Sequence, residues 1–365
     1  MSETAAPQAP RFCPNPACAF HCVPQGWRFV RDGFHARQRA PLRVQRYRCR
    51  HCRRRFSEQT FRPDYWLKRP DLLVPVLHGL LSCACLRQLA RALEVSPQTI
   101  LAHANRLGRH CLLFHQQHRP RGPLTEPLVL DGFESFEYSQ FHPTRYHVVA
   151  GQVSHYFYGF TDSELRRSGR MTRAQRQRRA ALEARLGRPA ARSSERDVVA
   201  LLALLCPAAQ DLTLHSDQHT DYPRALRQLR HLRVTHRTTS SRAARTAHNP
   251  LFSINLLDLL IRHGGANHKR ETIAFAKRRQ MAIWRLWLLL VWRNHMKWFS
   301  ERRGQGTPAM RLGLATRRLK PADLLRERLF VSRVGLPERW RVYYWGRVTT
   351  RALKHCREHR CRYAF

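Results

Sequence analysis

The sequence predicts a multidomain chain of mixed class, α+β and α/β: a small cysteine-anchored domain, a helical module, and a mixed sheet flanked by helices. Three observations predict it. Two short-spaced cysteine pairs stand in the first 52 residues. Apolar residues between Leu72 and Arg109 recur with the helical period. From Leu128 onward, short apolar runs alternate with helical stretches. The expected boundaries are 11–62 for the first domain, 70–112 for the helical module and 125–300 for the sheet domain, with a basic insertion at about 164–195 and a basic tail over 301–365.

Composition narrows the function. Of the 365 residues, 66 are Lys or Arg against 25 Asp or Glu, a formal charge of +41. Six are lysine and the other 60 arginine. Such a chain repels itself unless a polyanion neutralises it, which argues against a metabolic enzyme with a small neutral substrate and for nucleic acid. With 43% hydrophobic residues it has enough for a core, so it is no disordered basic arm. Met1 to Pro10 lacks the apolar segment of a signal peptide. The richest apolar run, Ile283 to Trp292, is half of the ~20 residues that span a bilayer and contains Arg285. The expectation is a soluble intracellular protein with no membrane partner, whose eleven cysteines are reduced thiols or metal ligands.

In the first domain, Cys13-Pro-Asn-Pro-Ala-Cys18 is followed by Cys49-Arg-His-Cys52. Two such pairs offer four thiolates tetrahedrally to a structural Zn²⁺, as in a zinc ribbon. The segments 27–31 and 42–48 between them alternate like strands. About fifty residues bury too little surface without a metal. Arginines around the second pair are expected to favour thiolate, and His21 and Cys22 compete as ligands.

The helical module centres on Leu86 to Leu107. Leu86, Leu89, Ala90 and Leu93 form an apolar stripe, Ser96 is placed to cap the next helix, and Pro97 fits its first position. The pattern is that of a helix-turn-helix. It turns Gln98, Thr99, His103 and Arg106 outward, a set suited to base edges and phosphates; a plain helical hairpin is the alternative.

In the third region, scarce carboxylates carry the information. Asp131 ends the run Leu128–Leu130; strand-like runs follow at 146–150 and 155–160, then the basic insertion and an apolar helix over 194–205. A strand over 212–214 ends at Ser216-Asp217; a helix at 222–229, a strand at 232–235 and a helix at 251–262 complete the order. This is the order of an RNase H-like fold, in which the first and fourth strands are neighbours. Asp131 and Asp217 then converge, with a third acid from the last helix, on Mg²⁺ or Mn²⁺, hard cations that take oxygen ligands.

On these residues the chain resembles the bacterial insertion-sequence transposases of the DDE type that carry an N-terminal zinc ribbon and a helix-turn-helix. The matching segments are Arg46-Tyr-Arg-Cys-Arg-His-Cys52 to Phe56-Ser57, Asp131-Gly-Phe-Glu-Ser-Phe136, His215-Ser-Asp-Gln-His219, Asn249 to Asp258, and Ala266 to Phe275, spanning about residues 11 to 300. The resemblance implies Mg²⁺-dependent cleavage of double-stranded DNA at transposon ends and attack of the freed 3′-OH on target DNA. It further implies a homo-oligomer at the nucleoid of a prokaryotic cytoplasm. Asp131 and Asp217 take the places of the first two acids. Relatives commonly have a Glu, then Asn and Arg, on one helix face; here the stretch reads Asn255, Asp258, Arg262. Asp258 is favoured as third acid, with Arg262 one turn on to hold it and a DNA phosphate, and Glu271 is the alternate beyond Gly264-Gly265. The other function is a DNA-binding regulator that has lost the chemistry.

Three smaller signals remain. The arginine-rich insertion reads as a helical clamp for DNA or a solvated arm. Residues 283–298, with Trp284, Trp287, Trp292 and Trp298, read as a packing helix with a basic outer face. Cys356 and Cys361 form a weak metal-binding pair near the C-terminus.

Overall fold

The computed structural model describes residues 11–38, 41–60, 62–269, 272–302, 304–353 and 355–360. Alternating apolar residues build an N-terminal antiparallel sheet in the order β1 (Phe29–Ala36), β2 (Arg43–Cys49), β3 (Arg55–Ser57). Its own small core joins Tyr47 and Phe56 to Cys13, Cys18 and Cys49, with Trp27 and Phe29 packed alongside.

Three helices follow: α1 (Leu73–Leu81), α2 (Leu86–Ala92) and α3 (Pro97–His118). The Ser96 hydroxyl accepts from the Thr99 amide at 3.2 Å, so the expected cap is made. The expected end of this module at residue 112 is corrected: α3 runs on to His118, and its buried second half packs on α8 (Arg279–Val291). Gly108 makes that approach possible. A methyl group there would stand 2.4 Å from Cβ of Trp284 and 2.9 Å from its Cα. Sequence periodicity marked α3 as helical, but its partner lies some 170 positions on.

The larger sheet has the order β6-β5-β4-β7-β8, from β4 (Leu128–Phe136), β5 (Pro143–Gly151), β6 (Phe157–Glu164), β7 (Gln210–Ser216) and β8 (Leu232–Thr238). The first three form an antiparallel meander; β4 with β7 and β7 with β8 pair in parallel. The first and fourth strands of this sheet are thus neighbours, as the element order implied. Between β6 and β7 lie α4 (Arg173–Leu186), which buries no residue, and the apolar α5 (Ser193–Leu205). α6 (Asp221–Leu226) joins β7 to β8, and α7 (Phe252–Gly264) lies against β4 and β5. One hydrophobic core unites α1–α3, this sheet, α8 and the residues beyond.

Two expectations fail here. The described residues from 304 to 353 are no tail: α9 (Pro308–Arg311), α10 (Pro321–Arg326), α11 (Val331–Val334) and α12 (Glu338–Tyr344) pack onto the core, with Trp340 and Tyr343 fully buried. The signal was the spacing of Trp340, Tyr343 and Tyr344, a one-turn apolar stripe hidden among arginines. Nor have residues 283–298 the expected basic outer face, since Arg285 of α8 and Arg293 just beyond it are buried, as is Arg279 at the start of α8. Arg279 pairs with Asp162 Oδ2 at 3.2 Å, Glu164 Oε1 at 2.9 Å and Glu137 Oε2 at 3.9 Å. Arg339 of α12 adds ion pairs to Asp162 at 3.1 Å and Asp197 at 3.3 Å, tying β6, α5, α8 and α12 together.

The N-terminal knuckle touches the other end of the chain. Nδ1 of His21 bonds to Cys13 O at 2.7 Å and Nε2 to the Ser332 hydroxyl at 2.5 Å. Phe12 packs on Phe330, and the Arg333 guanidinium sits 3.8 Å above the Phe12 ring. No helix among the described residues is long and apolar enough to cross a membrane.

Candidate functional site

Strand pairing brings the first two acids together. Leu130 of β4 is the register partner of Ser216 of β7, so Asp131 and Asp217 each follow a paired residue at one end of the parallel pair. Asp258 comes from α7, which packs across β4, and Arg262 one turn on donates to it from Nε at 3.1 Å. Burial pushes the Asp131 carboxyl up to about 6; the Gly132 amide opposes this, while Asp217 and Asp258 add to it. Two acids distant in sequence therefore act electrostatically on a third.

Each carboxylate is oriented by its own neighbourhood. The Gly132 N–H donates to Asp131 Oδ1 at 2.6 Å, and the His219 N–H to Asp217 Oδ1 at 2.9 Å. Arg145 of β5 contacts His219 Nε2 at 2.9 Å and Glu134 at 2.7 Å, and its charge also falls on Asp131. Asp258 Oδ1 is buried and has no hydrogen-bond partner among the described residues. A buried carboxylate oxygen in that state is costly unless a cation or donor reaches it, so the donor set fits a hard divalent ion. Asp131, Asp258 and Asn255 line a groove of about 530 Å³ rimmed by Arg167, Arg245, Arg262 and Lys269. That rim suits phosphates; Arg167 belongs to the insertion read as a DNA clamp, whereas Arg245 carried no motif in the sequence. The alternate acid, Glu271, lies outside the described residues.

The cysteines converge more tightly. The sulfurs of Cys13, Cys18, Cys49 and Cys52 all lie within 4.8 Å of one another, with Cys13 and Cys52 3.5 Å apart. A tetrahedron of thiolates ~2.3 Å from zinc has edges of ~3.8 Å, so the set fits structural zinc. It is the one such group of three or more ligands among the described residues, and the three aspartates do not gather on a single point in this way. His21 is withdrawn as a competitor by the two bonds described above, and Cys22 is exposed outside the set. The thiolate preference also has another source than expected. Burial would raise Cys49, but the Trp27 indole N–H (3.2 Å) and the backbone N–H groups of Cys52 and His51 outweigh it and bring it to about 7. The arginines crowding the pair contribute none of these contacts. Burial, with the neighbouring Cys52, Cys18 and Cys49 sulfurs, pushes the Cys13 thiol upward against the Asn15 backbone contact. Cys356 bonds to the Gly346 carbonyl at 2.7 Å, and Cys361 lies outside the described residues.

The four expected DNA-reading side chains of α3 divide. Gln98 is exposed and Thr99 half-buried. The other two are corrected. His103 is buried, with Nδ1 on Thr99 O at 2.8 Å and Nε2 on Arg69 O at 2.7 Å. Arg106 donates to the carbonyls of Pro63 (3.0 Å) and Tyr65. The loop over 62–69 covers this part of α3, which a helical projection of the sequence leaves open.

No family model matches the chain, and no curated protein matches it. Among solved structures, it is similar to a chain of the cryo-EM structure of the simian T-cell lymphotropic virus intasome in complex with PP2A regulatory subunit B56 gamma. That match covers 68% of this chain and 74% of the other, at 16% identity and a TM-score of 0.25. A superposition that loose decides nothing about function, which is argued from the chain's own residues.

Proposed function

We propose that the protein is a DNA transposase with an RNase H-like core, cutting DNA at the ends of an insertion element and joining the freed 3′-OH to target DNA. The observation that carries this is that Asp131 and Asp217 follow paired residues at one end of adjacent parallel strands and that Asp217 and Asp258 both act on the Asp131 carboxyl, with Asp131 and Asp258 lining an arginine-rimmed groove. Asp131, Asp217 and Asp258 would hold Mg²⁺ or Mn²⁺, which when bound activates the attacking oxygen and stabilises the leaving one. The chain's own part is positioning and neutralisation. Arg262 fixes the Asp258 carboxylate, the Gly132 and His219 amides aim Asp131 and Asp217, and Arg167, Arg245 and Lys269 neutralise phosphates along the strand. In cleavage, water attacks phosphorus and the 3′ oxygen leaves; in joining, that 3′-OH attacks a phosphodiester of the target. The four cysteines hold a structural zinc, and duplex DNA and a second copy of the chain are the partners, in a prokaryotic nucleoid.

A second reading is a DNA-binding regulator without catalysis. It is favoured by the failure of the three aspartates to gather as tightly as the cysteines do. The test is Mg²⁺-dependent nicking of supercoiled DNA carrying the element's ends, with Asp131→Ala and Asp217→Ala in parallel. Nicking abolished by both changes supports the enzyme. Nicking that survives both refutes the site, and selective binding without nicking by the intact protein establishes the regulator.

A further inference from the structure

Trp66 is the most unusual side chain on the surface. It is 83% exposed, and its backbone sits at φ +58°, a left-handed conformation that bulky residues seldom adopt. Such strain persists only where the surroundings impose it, and here they do. Arg106 of α3 holds the carbonyls of Pro63 and Tyr65 just before it, Arg37 of the N-terminal domain donates to the Leu67 carbonyl just after it at 2.7 Å, and His103 holds Arg69 O. Two of the side chains that the helical pattern assigned to DNA thus grip this loop instead. The backbone is held on both sides of this residue while its indole, 6.0 Å from the Tyr65 ring, stands exposed, so it is not there for core packing.

Trp66 lies on the wall of a groove of about 900 Å³ between the loop and the three-stranded sheet. The lining carries five cations, Arg37, Arg46, Arg55, Lys68 and Arg69, and no carboxylate among the described residues. Arg55 is already paired with Asp32 at 2.7 Å and Arg69 with Asp71 at 2.7 Å, which leaves Arg46 and Lys68 as the principal phosphate contacts. The buried Gln59 also lines the groove, and its amide nitrogen has no partner among the described residues. An aromatic face, flanking cations and an uncommitted amide donor are what a displaced nucleobase requires: stacking for its ring, neutralisation for its phosphates and a donor for its edge.

We infer that this groove binds an unstacked nucleotide of the DNA, with its base on the Trp66 indole, its phosphates on Arg46 and Lys68, and its edge towards Gln59. The inference rests on the proposed DNA function and moves part of the recognition from α3 to the loop that α3 carries.

The test is fluorescence anisotropy of the full-length, zinc-loaded protein with three labelled probes of one sequence: a duplex, the same duplex with one unpaired thymine, and the single strand. Trp66→Asn removes the indole while tolerating positive φ, and Trp66→Phe keeps a smaller aromatic face. Intact protein is expected to prefer the two probes with an unpaired base. Trp66→Asn should weaken those two by about tenfold, leave the plain duplex within about twofold, and be largely rescued by Trp66→Phe. Equal losses on all three probes, no loss, or no preference by the intact protein overturns the inference. Nicking that depends on Asp131 but is indifferent to Trp66 sinks this inference alone, whereas failure of the intact chain to bind any probe sinks the proposed function with it.

Discussion

Replacing Arg279 by Met should unfold the protein more readily, and by an amount that depends on pH. At separations of 2.9 Å to Glu164 and 3.2 Å to Asp162, each pair is worth ~5 kcal/mol at an effective dielectric of ~20. Desolvation of the buried groups offsets most of that. Removing the cation forfeits the attraction; Asp162 keeps Arg339, but Glu137 is left buried with only the Thr350 hydroxyl and the backbone N–H of residue 279, and orphaning a buried charge costs ~3–5 kcal/mol. Glu137 sets the pH dependence. Burial pushes its carboxyl up to about 7, against the pull of Arg279 and the Thr350 hydroxyl. Its protonated form therefore favours the fold, a contribution present at low pH and lost as pH rises through about 7. Asp162 goes the opposite way: Arg279 and Arg339 overcome its burial and hold it low, so its contribution is present at neutral pH and lost in acid. Without Arg279 both carboxyls shift upward, and the folded variant takes up protons that the parent does not. The gap between the two should be widest near pH 8 and narrow towards pH 5.5. Urea unfolding followed by tryptophan fluorescence at both pH values measures it. A gap under ~1 kcal/mol, the range of a surface ion pair, or one that fails to narrow in acid, would show that Arg279 is not what neutralises this cluster.

Chelation with a strong zinc ligand, or Cys49→Ser, should release one zinc per chain and abolish hydrogen-exchange protection across β1–β3 while the five-stranded sheet stays protected; retained protection in a zinc-free sample refutes the structural role. Gly108→Ala should cost ~1–3 kcal/mol, because the new methyl meets backbone and Cβ atoms of Trp284 that cannot swing away. A neutral or stabilising result in thermal melts would mean that α3 and α8 can separate freely. Added Mg²⁺ or Mn²⁺ should raise the melting temperature of the intact protein and leave Asp131→Asn unmoved. An equal rise in both would place the ion elsewhere.

Residues whose placement is set by the nearest elements were readable in the sequence. Asp131 and Asp217 follow apolar runs of strand type, and the order of the runs made those two strands neighbours. The Asp258–Arg262 pair needed only helical spacing. What escaped is whatever another part of the chain decides. Arg106 projects outward on a helical wheel, while His103, three residues after Ile100 and four before Leu107, borders the apolar face; the loop over 62–69 turns both into its anchors. Arg285 and Arg293 read as a solvated face because their partners are backbone carbonyls, Ala84 O for Arg285 and Trp298 O for Arg293, which carry no signal in a helical pattern. Trp66 has no periodic partner, so no pattern distinguishes it from a core residue, and Arg245 was lost among 60 arginines.

The contact of His21 with Ser332 and of Phe12 with Phe330 makes the first cysteine knuckle and the segment around α11 a single clasp. Deleting the chain from Phe330 onward would strip the four-cysteine finger of its seat as well as removing α12. A phenotype from such a truncation, whether lost DNA affinity or lost zinc, therefore reports on both extremities at once, and only the point change Ser332→Ala separates them.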